Sequence, residues 1–141
     1  MRVYLDNCVL NRSFDDQSNL NVRLETLAAL FILEFIEKKK IKLINSSVIE
    51  YENSKNPFWE RKIWVSNYLS KAIFYQKLNL KIKKRAKQLE QLKIFPVDAL
   101  HLASAEIAKA RYFVTCDYDI IKKYQGSLEI VNPVEFIKLD L

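Results

Sequence analysis

Short apolar runs without helical spacing alternate along this chain with longer stretches whose apolar residues recur every three or four positions. Val3-Tyr4-Leu5 and Tyr112-Phe113-Val114-Thr115-Cys116 are β-branched and aromatic, so both read as short buried strands. Ile41-Lys42-Leu43-Ile44 reads as another, and Leu128-Glu129-Ile130-Val131 as a last one before Asn132-Pro133. Asn11 to Ser18 is a polar loop rich in turn formers. Leu20, Leu24, Leu27, Leu30 or Phe31, and Phe35 then mark one face of a long amphipathic helix. Glu37-Lys38-Lys39-Lys40 closes it with cations suited to the negative end of the helix dipole. Asn45-Ser46-Ser47 offers caps for the helix that starts near Val48, and a polar break from Asn53 to Pro57 precedes an aromatic helix with Phe58, Trp59 and Trp64. Leu78, Ile82, Ala86 and Leu89 form the apolar stripe of a basic helix, which Phe95-Pro96-Val97 ends. Asp98 to Ala110 is an Ala-rich helix, and Tyr118 to Tyr124 a short one stopped at Gly126. Strands alternating with helices predict an α/β protein, a three-layer α/β/α sandwich around a central parallel sheet.

Composition narrows this further. A chain of 141 residues, half of them apolar, with one Gly, suits a single domain spanning 1–141 and excludes disordered or loop-rich all-β classes. No apolar run approaches a membrane span, and Met1-Arg2-Val3 begins a strand rather than a signal peptide, so a soluble cytoplasmic protein is expected. Cys8 and Cys116 are too few for a disulfide framework and lack metal-finger spacing. The net charge is +6, yet the segment from Lys71 to Lys93 alone holds eight cations against Glu90. Lys81, Lys84 and Lys87 share one face of the basic helix, which makes them the expected contacts to a polyanion such as nucleic acid. The competing reading is a solvated face that serves solubility alone.

The acids carry the chemistry. Asp6 and Asp117 each end a strand, and in a parallel α/β sheet ligands bind outside the carboxyl ends of strands, where the strand order reverses. If the two strands are neighbours, their carboxylates converge and call for a hard divalent cation. Asp98 lies in the first turn of its helix, and His101, on nearly the same face, is placed to hydrogen-bond behind it rather than act as a base. Ser47-Val48-Ile49-Glu50 fits a capping box, which gives Glu50 a structural task and leaves Glu52 for the site. Asp119, two residues past Asp117, can face the same ion.

In this order the pieces resemble a PIN domain: strand-Asp6, Ser47-Val48-Ile49-Glu50-Tyr51-Glu52, Asp98-Ala99-Leu100-His101-Leu102-Ala103, and Val114-Thr115-Cys116-Asp117. The resemblance covers nearly the whole chain. It implies an Mg²⁺- or Mn²⁺-dependent endoribonuclease, with catalytic and metal-binding roles on Asp6, Glu52, Asp98 and Asp117, and Asp119 as an accessory ligand. It also implies an RNA substrate and, for the VapC-type toxins of the family, an antitoxin partner; a homodimer is a separate expectation that the sequence does not decide. One or two ions would activate water and stabilise charge on the scissile phosphate. The chain departs from the pattern at Asn7, where Thr or Ser is common, and in the loop from Asn11 to Asp16. The alternative is a non-catalytic nucleic-acid-binding PIN-like module, which would need the basic helix and not the acids. An aspartyl-nucleophile phosphotransferase would want an acid at position 8, where Cys8 stands.

Overall fold

The computed structural model describes residues 1–139. The chain opens with β1 (Arg2–Leu5) and α1 (Asn7–Asn11), then a 3-10 turn (Arg12–Phe14) leads into α2 (Leu20–Glu37). β2 (Lys42–Ser46), α3 (Ser47–Ser54), α4 (Trp59–Leu69) and β3 (Phe74–Gln76) follow. The second half runs α5 (Leu80–Glu90), α6 (Pro96–Ile107), β4 (Tyr112–Val114), α7 (Tyr118–Lys123), β5 (Glu129–Val131) and α8 (Pro133–Ile137).

The five strands form one sheet in the order β3-β2-β1-β4-β5, and every pairing is parallel. β1 is the centre: Val3, Tyr4 and Leu5 are fully buried, as a strand covered on both faces must be. Val3 pairs with Leu43 on one side and Tyr112 on the other, and Leu5 pairs with Val114. Helices flank the sheet, with α5 packed on α6 and α2 on α8. Buried Ala99, Ala103 and Ala105 bring α6 close to its neighbours, as small side chains allow. The three-layer α/β/α expectation holds, and β1 and β4 are indeed adjacent. No helix of the described residues is long and apolar enough to cross a membrane.

Several local expectations are corrected. The stripe Leu20, Leu24, Leu27, Leu30 and Phe31 of α2 is exposed, and the buried face is Glu25, Ala28, Ala29, Ile32 and Ile36. Small Ala28 and Ala29 seat the helix closely, and Glu25 tolerates burial because Arg12 and Asn132 hold both its oxygens, at 3.0 and 2.6 Å. The expected polar loop after Asn11 contains the 3-10 turn, preceded by α1, and β3 and α8 are elements the periodicity does not mark. The capping box is also displaced. Ser46, not Ser47, caps α3, accepting from the Ile49 N–H at 3.1 Å, while Ser47 accepts from the Leu78 N–H at 2.8 Å. Glu50 takes its bonds from Asn45 and Tyr75 instead.

Candidate metal centre

The sheet order fixes where a site belongs. The chain adds β2 and β3 on one side of β1, then returns to add β4 and β5 on the other, so the order reverses between β1 and β4. Asp6 leaves β1 at that crevice, 6% exposed, its backbone N–H bonded to the Val114 carbonyl at 2.9 Å. Its Oδ1 accepts from the Asn7 N–H at 2.8 Å, and its Oδ2 accepts from the Thr115 hydroxyl at 2.8 Å. Thr115 in turn accepts from the Asp117 N–H at 3.1 Å, so one hydroxyl fastens Asp6, directly after β1, and Asp117, which lies three residues past β4 rather than at its end as expected. Asp117 caps α7, its Oδ1 accepting from the Asp119 N–H at 2.9 Å.

Glu52 reaches the crevice from α3. Asp6, Glu52 and His101 each offer a ligand atom within 4.8 Å of the others. His101 is completely buried, with Nε2 2.9 Å from Glu52 Oε1 and Nδ1 2.7 Å from the Tyr4 hydroxyl. Tyr4 also meets Ser46 Oγ at 2.7 Å. With a neutral imidazole, one proton order gives every donor an acceptor. The Ile49 N–H donates to Ser46, Ser46 to Tyr4, Tyr4 to Nδ1, and Nε2–H to the Glu52 carboxylate. That chain fixes which ring nitrogen carries the proton toward Glu52. Burial pushes His101 down, but the Glu52 hydrogen bond and the charges of Asp6, Glu52 and Asp98 outweigh it, and the net shift is upward.

Asp98, in the first turn of α6, lines a cleft with Asp117, Asp119, Phe95, Lys93 and Lys123. Burial lifts its carboxyl to about 6, helped by the negative charges of Asp6, Asp117 and Glu52 and opposed by His101. The cluster therefore carries more negative charge than its own side chains neutralise. Among the described residues, neither Asp6, Asp98 nor Asp117 forms an ion pair with Lys or Arg. Carboxylate oxygens gathered without such an ion pair suit a hard divalent ion.

The structure thus brings Asp6 and Glu52 within ligand spacing and sets Asp98, Asp117 and Asp119 in a cleft whose charges act on the same rim. Glu50 faces a separate cavity of about 480 Å³ with Asn45, Asn53 and Lys62. Lys81, Lys84 and Lys87 lie exposed on α5 and do not line the acidic cleft. Arg85 on the same helix is committed to Glu106, at 2.7 Å, and to the Gln125 carbonyl. The sequence marks Ser46 as a cap candidate and Thr115 within the Val114-Thr115-Cys116-Asp117 motif, but assigns neither of them, nor Tyr4, a part in aiming the site. The signal common to all three is a hydroxyl within or just past a buried strand, where an unpaired hydroxyl would be costly.

No protein-family model and no curated protein matches the sequence. Solved structures match in three dimensions. VapBC2 from Rickettsia felis bound to a DNA fragment from their promoter shares 18% identity at a TM-score of 0.58, over 92% of this chain and 98% of that chain. DNA-bound VapBC from Salmonella typhimurium shares 14% identity at the same TM-score, 0.58, over 94% and 98%. At such identities the likeness establishes the fold, a PIN-like α/β/α sandwich. The PIN-domain resemblance carried by the order of the sequence motifs agrees with this fold.

Proposed function

We propose that this chain is a single-domain, cytoplasmic Mg²⁺- or Mn²⁺-dependent endoribonuclease, acting as the toxin of a toxin–antitoxin pair. The observation that carries this reading is the convergence at the β1/β4 crevice. Buried Asp6 and partly exposed Glu52 lie within ligand spacing there, beside an Asp98 carboxyl lifted to about 6 by burial and its neighbours' charge. Asp6, Glu52, Asp98 and Asp117 would hold the ion, with Asp119 at the exposed margin. A divalent ion bound there supplies Lewis-acid stabilisation of the phosphodiester and activation of water. The protein's own part is orientation: Thr115 and the Asn7 N–H fix Asp6, the Asp119 N–H fixes Asp117, and His101 fixes Glu52. Lys81, Lys84 and Lys87 would hold phosphates away from the cleft.

The antitoxin assignment draws on the VapBC likeness and on the exposed Leu20, Leu24, Leu27 and Phe31 face of α2, whose apolar surface suits a protein partner or a second copy of the chain. The test of the central reading is cleavage of labelled RNA by the purified chain with Mn²⁺. Cleavage should vanish with chelator, and in Asp6→Asn and Asp98→Asn, without change in circular dichroism. Wild-type rates from Asp6→Asn at saturating Mn²⁺ would remove the assignment.

A further inference from the structure

Phe95 is 74% exposed, although a phenylalanine gains roughly 1.5–3 kcal/mol by burial. It is nevertheless held in place. Ile94 beside it is buried in the core, and Pro96 after it opens α6 and restricts Phe95 to extended backbone, at φ −62° and ψ 149°. Its carbonyl accepts from the Ala99 N–H at 2.9 Å. Just before it, Lys93 takes the left-handed conformation at φ 66°, and its carbonyl accepts from Lys123 Nζ of α7 at 3.2 Å. The ring is therefore displayed on an anchored turn.

The position of this ring separates it from exposed Phe58, Trp59 and Tyr118. Phe58 and Trp59 line a different cleft with Phe14 and Arg61, and Tyr118 lines one with Leu24 and Asn132. Phe95 shares its cleft with Asp98, Asp117 and Asp119, and with the cations Lys93 and Lys123. A phosphodiester held by the acids through an ion has a base within one nucleotide and a second phosphate just beyond. An aromatic face and two ammonium groups match those two features.

We infer that Phe95, with Lys93 and Lys123, forms a nucleotide subsite beside the metal centre, in which an unpaired base of the RNA stacks on the Phe95 ring. This rests on the ribonuclease reading above. Phe carries no hydrogen-bond donor or acceptor in its side chain, so the subsite favours single strands and tolerates any base.

The test measures binding of a labelled single-stranded oligouridylate to the full-length chain by fluorescence anisotropy, with Ca²⁺ replacing Mn²⁺ to screen the acids. Phe95→Ala should weaken binding about tenfold, and Phe95→Leu should fall with it because it is apolar without a ring. Phe95→Trp should restore binding, and its fluorescence should be quenched by RNA beyond the response of Trp59 and Trp64. With Mn²⁺, Phe95→Ala should raise KM and leave kcat near wild type. Equal binding by Phe95→Ala and wild type overturns the subsite, as does full restoration by Leu, which would show that apolar bulk rather than ring stacking carries the effect. Lack of binding by the wild type also overturns it. If the chain binds RNA through Phe95 but never cleaves it, the ribonuclease reading fails and the stacking site stands.

Discussion

Asp98→Asn tests whether the acidic rim is a site of stored repulsion. The folded carboxyl titrates at about 6 against an ordinary value of 3.8, because it is partly buried and faces Asp6, Asp117 and Glu52. A folded value above the unfolded one means that the native state holds this proton more tightly. Stability is thus fully present below the unfolded value and is lost as pH rises through about 6. A gap of about two pH units amounts to roughly 3 kcal/mol without screening. Asp98 is only partly buried, and solvent reduces the figure to about 1–2 kcal/mol. Replacing an acid in the first turn of α6 also forfeits about 0.5 kcal/mol of dipole interaction, so a gain of about 1 kcal/mol remains.

In chelator at about pH 7.5, Asp98→Asn should therefore melt roughly 3–5 °C above wild type. The gain should shrink as pH falls from about 6 and be lost below about 4, where the carboxyl is protonated in both folded and unfolded wild type. Adding Mn²⁺ should narrow or invert the difference, since only the wild type keeps the full carboxylate set. Thermal melts across pH, with and without metal, read all three. A variant no more stable than wild type at neutral pH, or a gain independent of pH, would refute the repulsion argument.

Glu52→Gln should lose most metal-dependent cleavage, and Glu50→Gln should stay near wild type, since Glu50 bonds Asn45 and Tyr75 outside the acid cluster; a reversed pattern in the cleavage assay would transfer the role to Glu50. Replacing Lys81, Lys84 and Lys87 together by Gln should flatten the slope of log K against log salt by about 0.7 for each phosphate no longer neutralised, and equal slopes would make the patch a solvated face. His101 is the sole histidine, so nitrogen NMR reads its state directly. The neutral form should carry its proton on Nε2, and Mg²⁺ should lower the pH at which the ring protonates by offsetting the surrounding acids, whereas a proton on Nδ1 would contradict the hydrogen-bond order.

What the sequence makes legible follows from local causes. Asp6 and Asp117 can be placed because each follows a β-branched or aromatic run, and a strand in a parallel sheet has its ligand edge at its carboxyl end. The interactions that decide the rest join residues far apart. Glu25 is buried because Asn132, from the other end of the chain, meets it, so no window around α2 could choose that face over the leucine stripe. Helical spacing permits both faces, and packing against Ala28 and Ala29 selects one. The choice of Ser46 over Ser47 as the cap turns on a single residue, and β2 runs on through Ser46, which puts that hydroxyl beside Tyr4. His101 is visible near Asp98, but its partners Glu52 and Tyr4 belong to other elements.

The placement of the acids explains how a fold can hold so much uncompensated charge. Asp6 caps α1, Asp117 caps α7, and Asp98 sits in the first turn of α6, so three helix N-termini point their positive ends at one rim. Backbone N–H groups then do part of what a cation would do: Asn7 serves Asp6, and Asp119 serves Asp117. Among the hydrogen bonds of the described residues, Asp98 accepts none, although its neighbours' charges bear on it directly. Its carboxyl is accordingly driven upward, and it has the most to gain from an incoming ion. The same arrangement separates tasks along the chain. Thr115 and His101 are buried and spent on aiming carboxylates, whereas Phe95, Lys93 and Lys123 stand at the open side of the cleft. Loss of the aiming groups should therefore register in metal affinity and turnover, and loss of the open-side groups in RNA affinity alone.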